Sequence, residues 1–341
     1  MTSDGHFQNN ENMTEKTTPQ AGYHEQRNIM FSSVRQSVLY ILLRNLLRSP
    51  KSVFGLAIVF FFVLVALLAP YIAPGNPQAF VARPNQPPSS EHIFGTTGQG
   101  KDVFTQTVWG ARLSLLVGFG ASTLLTIFNT LIGVIAGYFR GWIDNILTFI
   151  MNLFLIIPGL PLLIILSGYL KAGVFTLIIV IAITGWAYGA RVKRSFVLSL
   201  REKDFVAAAK VSGQSDLGII YYQILPNMIN MIFGGFIGGV SGGIVAVTGL
   251  SFLGLTNLSE VNWGTNLYWA QVGGALIQGA WWTILPSGLS VALVAFGLSL
   301  VNYGMDEVTN PRLKADKELK RVVKNYGTQR VRATPVVSRQ H

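Results

Sequence analysis

The chain has 341 residues, 50% hydrophobic and only 12% charged, with a net charge of +11 and no cysteine. Soluble domains carry about 25% charged side chains, so a set of soluble domains is excluded. The lack of cysteine excludes disulfide frameworks, thiolate metal sites and cysteine nucleophiles. Mean hydropathy is +0.44, and the charge is confined to short stretches. No charged side chain occurs between Lys51 and Arg83, Arg112 and Arg140, Asp144 and Lys171, Lys171 and Arg191, Asp216 and Glu260, or Glu260 and Asp306. A hydrocarbon core of about 30 Å needs roughly 20 apolar residues in helical form, because backbone amides cannot be left unpaired in lipid. The prediction is an all-α membrane protein with six transmembrane helices at 53–72, 113–139, 145–170, 172–190, 228–252 and 284–305.

In chain order, residues 1–34 are polar and lack the apolar segment of a signal peptide, which predicts a disordered cytoplasmic tail. Residues 35–52 place Leu39, Leu42, Leu43, Leu46 and Leu47 around Arg44 and Arg48. That suits a helix lying on the inner membrane surface, with a simple extension of the first span as the alternative. The span at 53–72 then serves as an uncleaved anchor. The segment 73–112 is an extracytoplasmic loop crowded at first with Pro, Asn and Gln. Its Gly98-Gln99-Gly100-Lys101 is not a phosphate loop, since Asp102 replaces the required Ser or Thr and the segment is placed outside the cell. Pro158 and Pro161 should kink the third span. A loop at 191–227 follows the fourth, and the fifth is laced with Gly234, Gly235, Gly238, Gly239, Gly242 and Gly243. Gly133 with Gly137, and Gly185 with Gly189, repeat this four-residue spacing, which fits either close static packing or a sliding or pore-lining surface. Trp263, Trp269, Trp281 and Trp282 lie in the last outer loop, as interfacial anchors or as a docking surface or pathway wall. Asp102, Lys101 and Glu260 supply charge on the same side. The tail 306–341 is basic, with Lys314, Lys317, Lys320, Arg321 and Lys324 spaced for a helix along the inner leaflet, or else solvated.

All of the 26 basic residues except Arg83, Lys101, Arg112 and Lys171 fall on one side of these spans. That predicts a multi-pass protein of the cytoplasmic membrane with both termini cytoplasmic. The net charge then reflects topology and anionic lipid rather than nucleic acid. The six spans contain no Asp, Glu, His or Arg, which argues against an ion-coupled secondary carrier, whose coupling ion must bind something. His6, His24, His92 and His341 lie in tails or the outer loop at no metal-ligand spacing. No nucleophile with a base is in view, and Ser251 and Asn129 read as helix-packing hydrogen bonders. Neither a catalytic residue, a metal site nor a cofactor of its own is expected.

The loop at 191–227 carries the most specific pattern. Asp204-Phe205-Val206-Ala207-Ala208-Ala209-Lys210-Val211-Ser212-Gly213 joins good helix formers to a glycine able to take the left-handed conformation. Ile224-Leu225-Pro226 follows and marks the entry to the next helix. An alanine-faced helix can approach a partner closely and loses little side-chain entropy on docking.

This loop resembles the EAA coupling motif of binding-protein-dependent ABC importer permeases, through Ala208, Ala209, Gly213, Ile224, Leu225 and Pro226, with Asp204-Phe205-Val206 where the family often has an acidic residue, Tyr and Val. Further segments resemble the second permease subunit of dipeptide, oligopeptide and nickel importers. They are Phe94-Gly95-Thr96 with Gly100-Lys101-Asp102-Val103, and Gly110-Ala111-Arg112-Leu113-Ser114-Leu115. Ala136-Gly137-Tyr138 with Gly141-Trp142-Ile143-Asp144 is another. So are Leu250-Ser251-Phe252-Leu253-Gly254-Leu255, Asn262-Trp263-Gly264, Trp281-Trp282 and Asn310-Pro311-Arg312. Thr97, Lys101, Asn262 and the stretch 301–307 depart from the family's usual residues. The resemblance implies a type I ABC importer transmembrane domain at 113–305. It further implies a heterodimer with a homologous permease, two ATPase subunits carrying ATP and Mg, and an extracytoplasmic substrate-binding protein. Asp204, Phe205, Ala207, Ala208, Ala209, Gly213, Leu225 and Pro226 would couple to the ATPases. Asp102, Trp263, Trp281 and Trp282 are candidates for the translocation path or binding-protein contact. Peptides are the expected cargo, with nickel as the alternative.

Overall fold

The structure, a computed structural model, describes residues 46, 47, 49–170 and 173–309. The expected tail at 1–34, most of the helix at 35–52, Lys171 and the tail beyond residue 309 lie outside the described residues.

The first span is α1 (Pro50–Leu67) followed by one turn, α2 (Ala69–Ile72). The second, α3 (Val103–Phe139), runs 37 residues, about 55 Å at 1.5 Å per residue and nearly twice the hydrocarbon thickness. It starts ten residues before the predicted 113, so the loop expected at 73–112 ends at its N-cap, Asp102. The Asp102 carboxylate accepts the Thr105 amide at 2.8 Å and the Thr105 hydroxyl at 2.7 Å. A capped, packed helix need not stop where hydrocarbon does.

The third span is broken rather than kinked. Helices α4 (Gly141–Ile156) and α5 (Gly159–Tyr169) meet at Ile157-Pro158 with an 87° bend. Proline removes a donor and restricts the residue before it, and here the backbone is extended at both Ile157 and Pro158. Among the described residues five helices are long and apolar enough to cross a membrane, or six if this bent pair counts as one.

Helix α6 (Val174–Arg201) continues eleven residues past the predicted end at 190. The first part of the expected loop at 191–227 is therefore helix. Then come α7 (Asp204–Val211), the short α8 (Asp216–Ile219), a π-helical turn at Ile220–Ile224, and α9 (Leu225–Phe252). The outer segment carries α10 (Trp263–Val272) and a 3-10 turn at Trp281–Thr283 before α11 (Leu285–Thr309).

Glycines set the tightest seams. A Cβ on Gly133 would lie 2.7 Å from the Ala190 carbonyl, and one on Gly137 2.8 Å from the Arg194 carbonyl, so α3 and α6 touch backbone to backbone. On α9, Gly239 and Gly243 press against Ser122 and Gly118 of α3, and the Ser122 hydroxyl donates to the Phe236 carbonyl at 2.6 Å. Gly133, Gly137, Gly239 and Gly243 are thus closely packed. Gly242, by contrast, faces open space.

Candidate functional site

Helix α7 stands between the ends of α6 and α9 and is rooted by two side chains three residues apart. Val206 and Ala209 are buried in a cluster with Val134, Tyr138, Val197, Leu200, Ile219, Ile224 and Met228. The spacing places both on one face. Asp204, Phe205, Ala207, Ala208, Lys210 and Val211 form the exposed remainder. Eight residues are too few for a stable isolated helix, so this one holds by its anchored face and its terminus. Gly213 has φ +75°. Its amide donates to the Lys210 carbonyl at 3.0 Å, and the Gln214 amide donates to the Ala209 carbonyl at 3.1 Å. These paired bonds are a Schellman termination, for which the left-handed residue is usually glycine. A Cβ at Gly213 would meet nothing within 4 Å.

The Ile-Leu-Pro segment has a backbone task. Pro226 lacks an amide and its ring would crowd the carbonyl four residues back. The π turn absorbs the misfit: the Leu225 amide donates to the Ile220 carbonyl, five residues back. Ile224 is fully buried in the cluster, with Leu225 packed beside it. Of the eight predicted coupling residues, Asp204, Phe205, Ala207, Ala208 and Gly213 are outward. Ala209, Leu225 and Pro226 hold the segment to the spans.

Two polar assemblies here were not foreseen. Tyr138, 3% exposed in the last turn of α3, donates its hydroxyl to Asp216 Oδ1 at 2.6 Å. Its carbonyl accepts from Arg201 Nη1 at 2.5 Å, and Arg201 and Lys210 both lie over its ring, at 5.6 and 5.5 Å. In the sequence Tyr138 stands out only within Ala136-Gly137-Tyr138, because its partners lie more than 60 positions away. Deeper in the bundle, Lys193 is 3% exposed and donates to Asn129 Oδ1 at 2.5 Å. Asn129 is thus a helix-packing hydrogen bonder, as expected. Lys193 was assigned to a loop, yet a signal existed: continuing the stripe of Gly185 and Gly189 by four residues lands on Lys193 and then Val197. Nearby, Arg194 grips Asp144 with two bonds of 2.5 and 2.7 Å, joining α6 to α4.

At the opposite end the outer segments are folded together. Asp102 is engaged as a helix cap and also meets His92 Nδ1 at 3.0 Å. Lys101 is buried, donates to Gln78 Oε1 at 2.5 Å and lies 5.6 Å from the Phe80 ring centroid. Burial holds its ammonium pKa below the ordinary 10.5. Trp263 is fully buried, with its indole donating to the Thr107 carbonyl at 3.0 Å and its ring edge-on to Phe62 at 5.7 Å. It is an internal packing post and reaches neither surface nor interface. Trp282 donates to the Thr96 carbonyl at 3.2 Å. Trp281 is 55% exposed, and the pair lines an apolar cleft of about 670 Å³ with Phe61, Phe94, Phe104 and Leu289. No group of three or more His, Cys, Asp or Glu among the described residues could hold a metal ion.

Residues 129–315 match the family described as binding-protein-dependent transport system inner membrane component. Residues 37–88 match the N-terminal transmembrane domain of oligopeptide transport permease C. The chain is 36% identical over 278 residues to a dipeptide transport system permease protein of Alkalihalophilus pseudofirmus, covering 80% of this chain and 89% of that one. It is 31% identical over 274 residues to the dipeptide transport system permease of Bacillus subtilis, covering 80% and 85%. To the oligopeptide transport system permease of the same organism it is 31% identical over 263 residues, covering 76% and 85%.

Proposed function

The chain belongs to the binding-protein-dependent transport system inner membrane components, a family of transport subunits rather than catalysts, and we propose that it passes peptides across the cytoplasmic membrane as one permease of an ATP-driven importer. The relatives named for dipeptide and oligopeptide transport support peptides as cargo. A homologous permease completes the pathway as a heterodimer, an extracytoplasmic binding protein delivers substrate, and two ATPase subunits hold ATP and Mg. Both termini are cytoplasmic in this reading, which the distribution of Lys and Arg supports.

The observation that carries this reading is α7: a short helix with an alanine-rich outer face, capped at Gly213 and bolted by Val206 and Ala209 to a cluster that includes α3, α6 and α9. Closure of the ATPases pushes the face formed by Asp204, Phe205, Ala207 and Ala208. Because the anchored face cannot lift away without opening the cluster, the push tilts the spans and alternates access. Asp102 and Trp263 act inside the outer fold. Trp281 and Trp282 are the residues of that group positioned beside a cleft.

Two measurements test the reading. Cells lacking this chain are compared with complemented cells for uptake of labelled dipeptides, longer peptides and nickel ions. Restored peptide uptake is expected, and restoration of nickel uptake alone would refute the peptide assignment. The native chain has no cysteine, so Ala207→Cys supplies a single thiol for crosslinking. Capture of an ATPase subunit is expected, and no capture from any outward position of α7 overturns the coupling role.

A further inference from the structure

Helix α7 is joined by the chain to α6 through residues 202 and 203 and to α9 through 212–224, but it has no covalent link to α3. Yet α3 is the longest helix and packs along both α6 and α9 through glycine seams. A displacement of α7 reaches α3 indirectly through the α6 and α9 seams, and directly only through side chains. Tyr138 is where they converge: the end of α6 through Arg201, α7 through Lys210, and α8 through Asp216 all meet this one residue of α3.

The contacts differ in what they can transmit. The apolar packing of Val206 and Ala209 against the cluster is non-directional and tolerates sliding. The 2.6 Å bond from the Tyr138 hydroxyl to the Asp216 carboxylate is directional and charge-assisted. It fixes the register between the last turn of α3 and the segment that follows the Gly213 turn. We propose that Tyr138 is a positioning residue for transport, the pin through which movement of α7 and α8 is delivered to α3. Without the pin, α7 and α8 lose their directional contact with α3, and the pathway opens less completely for each ATP spent.

This inference rests on the coupling role of α7, and the test separates the two. The complete importer, with binding protein and ATPase subunits in proteoliposomes, carries Ala207→Cys together with Tyr138→Phe, Asp216→Ala, or both. Phenylalanine keeps the ring and its cationic neighbours and removes only the hydroxyl. The readout is labelled-peptide uptake per ATP hydrolysed, using the peptide accepted in the cell assay. A hydrogen bond to a charged group, part-exposed as here, corresponds to about tenfold in an equilibrium. The ratio is expected to fall by up to about tenfold in each single variant and no further in the double variant, because both remove one interaction. A merely structural tyrosine would lower assembly or thermal stability and leave the ratio unchanged in whatever complex survives, which overturns the proposal. If Tyr138→Phe fails to assemble, Asp216→Ala, on an exposed side chain, decides: a parental ratio overturns the pin. A missing Ala207→Cys crosslink in the chain with Tyr138 and Asp216 intact indicts the coupling role instead.

Discussion

Replacing Gly213 by alanine isolates the backbone contribution to the termination of α7. The residue sits at φ +75°, where a Cβ raises the energy by about 1–2 kcal/mol, and the added methyl meets nothing within 4 Å inside the chain. The entire intramolecular effect therefore falls on the Schellman turn, whose population relative to open forms should drop about 5- to 30-fold. Hydrogen exchange reads this directly, since the Gly213 and Gln214 amides close the turn onto Lys210 and Ala209. Their protection should fall by that factor in Gly213→Ala and by less in Gly213→Asn, because asparagine visits the left-handed region more readily. Uptake separates strain from docking. If the outer face sits in a partner's socket, Gly213→Asn recovers exchange protection and remains transport-defective. Parental protection of both amides in Gly213→Ala would refute the claim that the turn depends on a residue without a side chain.

The remaining predictions concern the helical bundle to which α7 is anchored. Asp144→Asn strips the carboxylate charge from the doubly bonded Arg194. With the pair's side chains 12% and 24% exposed, the loss should be about 2 kcal/mol, below the 3–5 of a fully buried pair; an unchanged thermal midpoint in detergent contradicts it. Gly137→Ala drives a methyl to within 2.8 Å of the Arg194 carbonyl and the Val197 Cβ, and should destabilise by about 1–3 kcal/mol. Gly242→Ala, facing open space, should leave the detergent midpoint nearly parental, and equal effects of the two would dismiss the seam. Lys101 has a folded-state pKa below 10.5, so the unfolded chain binds more protons between the lowered value and 10.5, and stability rises with pH across that window. Lys101→Met should flatten this alkaline rise, measured as the unfolding midpoint against pH.

Much of the candidate site could be read from residue order. Asp204 to Gly213 form the helix and stop where the alanines and the glycine indicate, because both signals are local: propensity along one turn and the steric freedom of one residue. Leu225 and Pro226 mark the next helix for a similar reason, although the π turn that accommodates Pro226 was not legible. The outer residues fared differently. A tryptophan near a membrane boundary suggests an anchor, but Trp263 is drawn inward by Thr107 and Phe62, more than 150 positions away. Asp102 offered a charge, and the structure uses it to begin a helix.

What residue order alone determined is the approximate position of the segments apolar enough to cross a membrane and the short helix between the fourth and fifth. Both follow from requirements met within a few turns of chain: apolar length to satisfy the backbone in lipid, and helix formers closed by a glycine. Only the tertiary structure decided how far α3 and α6 extend, that the third span breaks by 87°, that Lys193 is enclosed beside Asn129, and that Tyr138 gathers three elements onto α3. Each of these is fixed by helix ends and side chains brought together from distant positions, and hydropathy summed along the chain carries no information about which distant groups will meet.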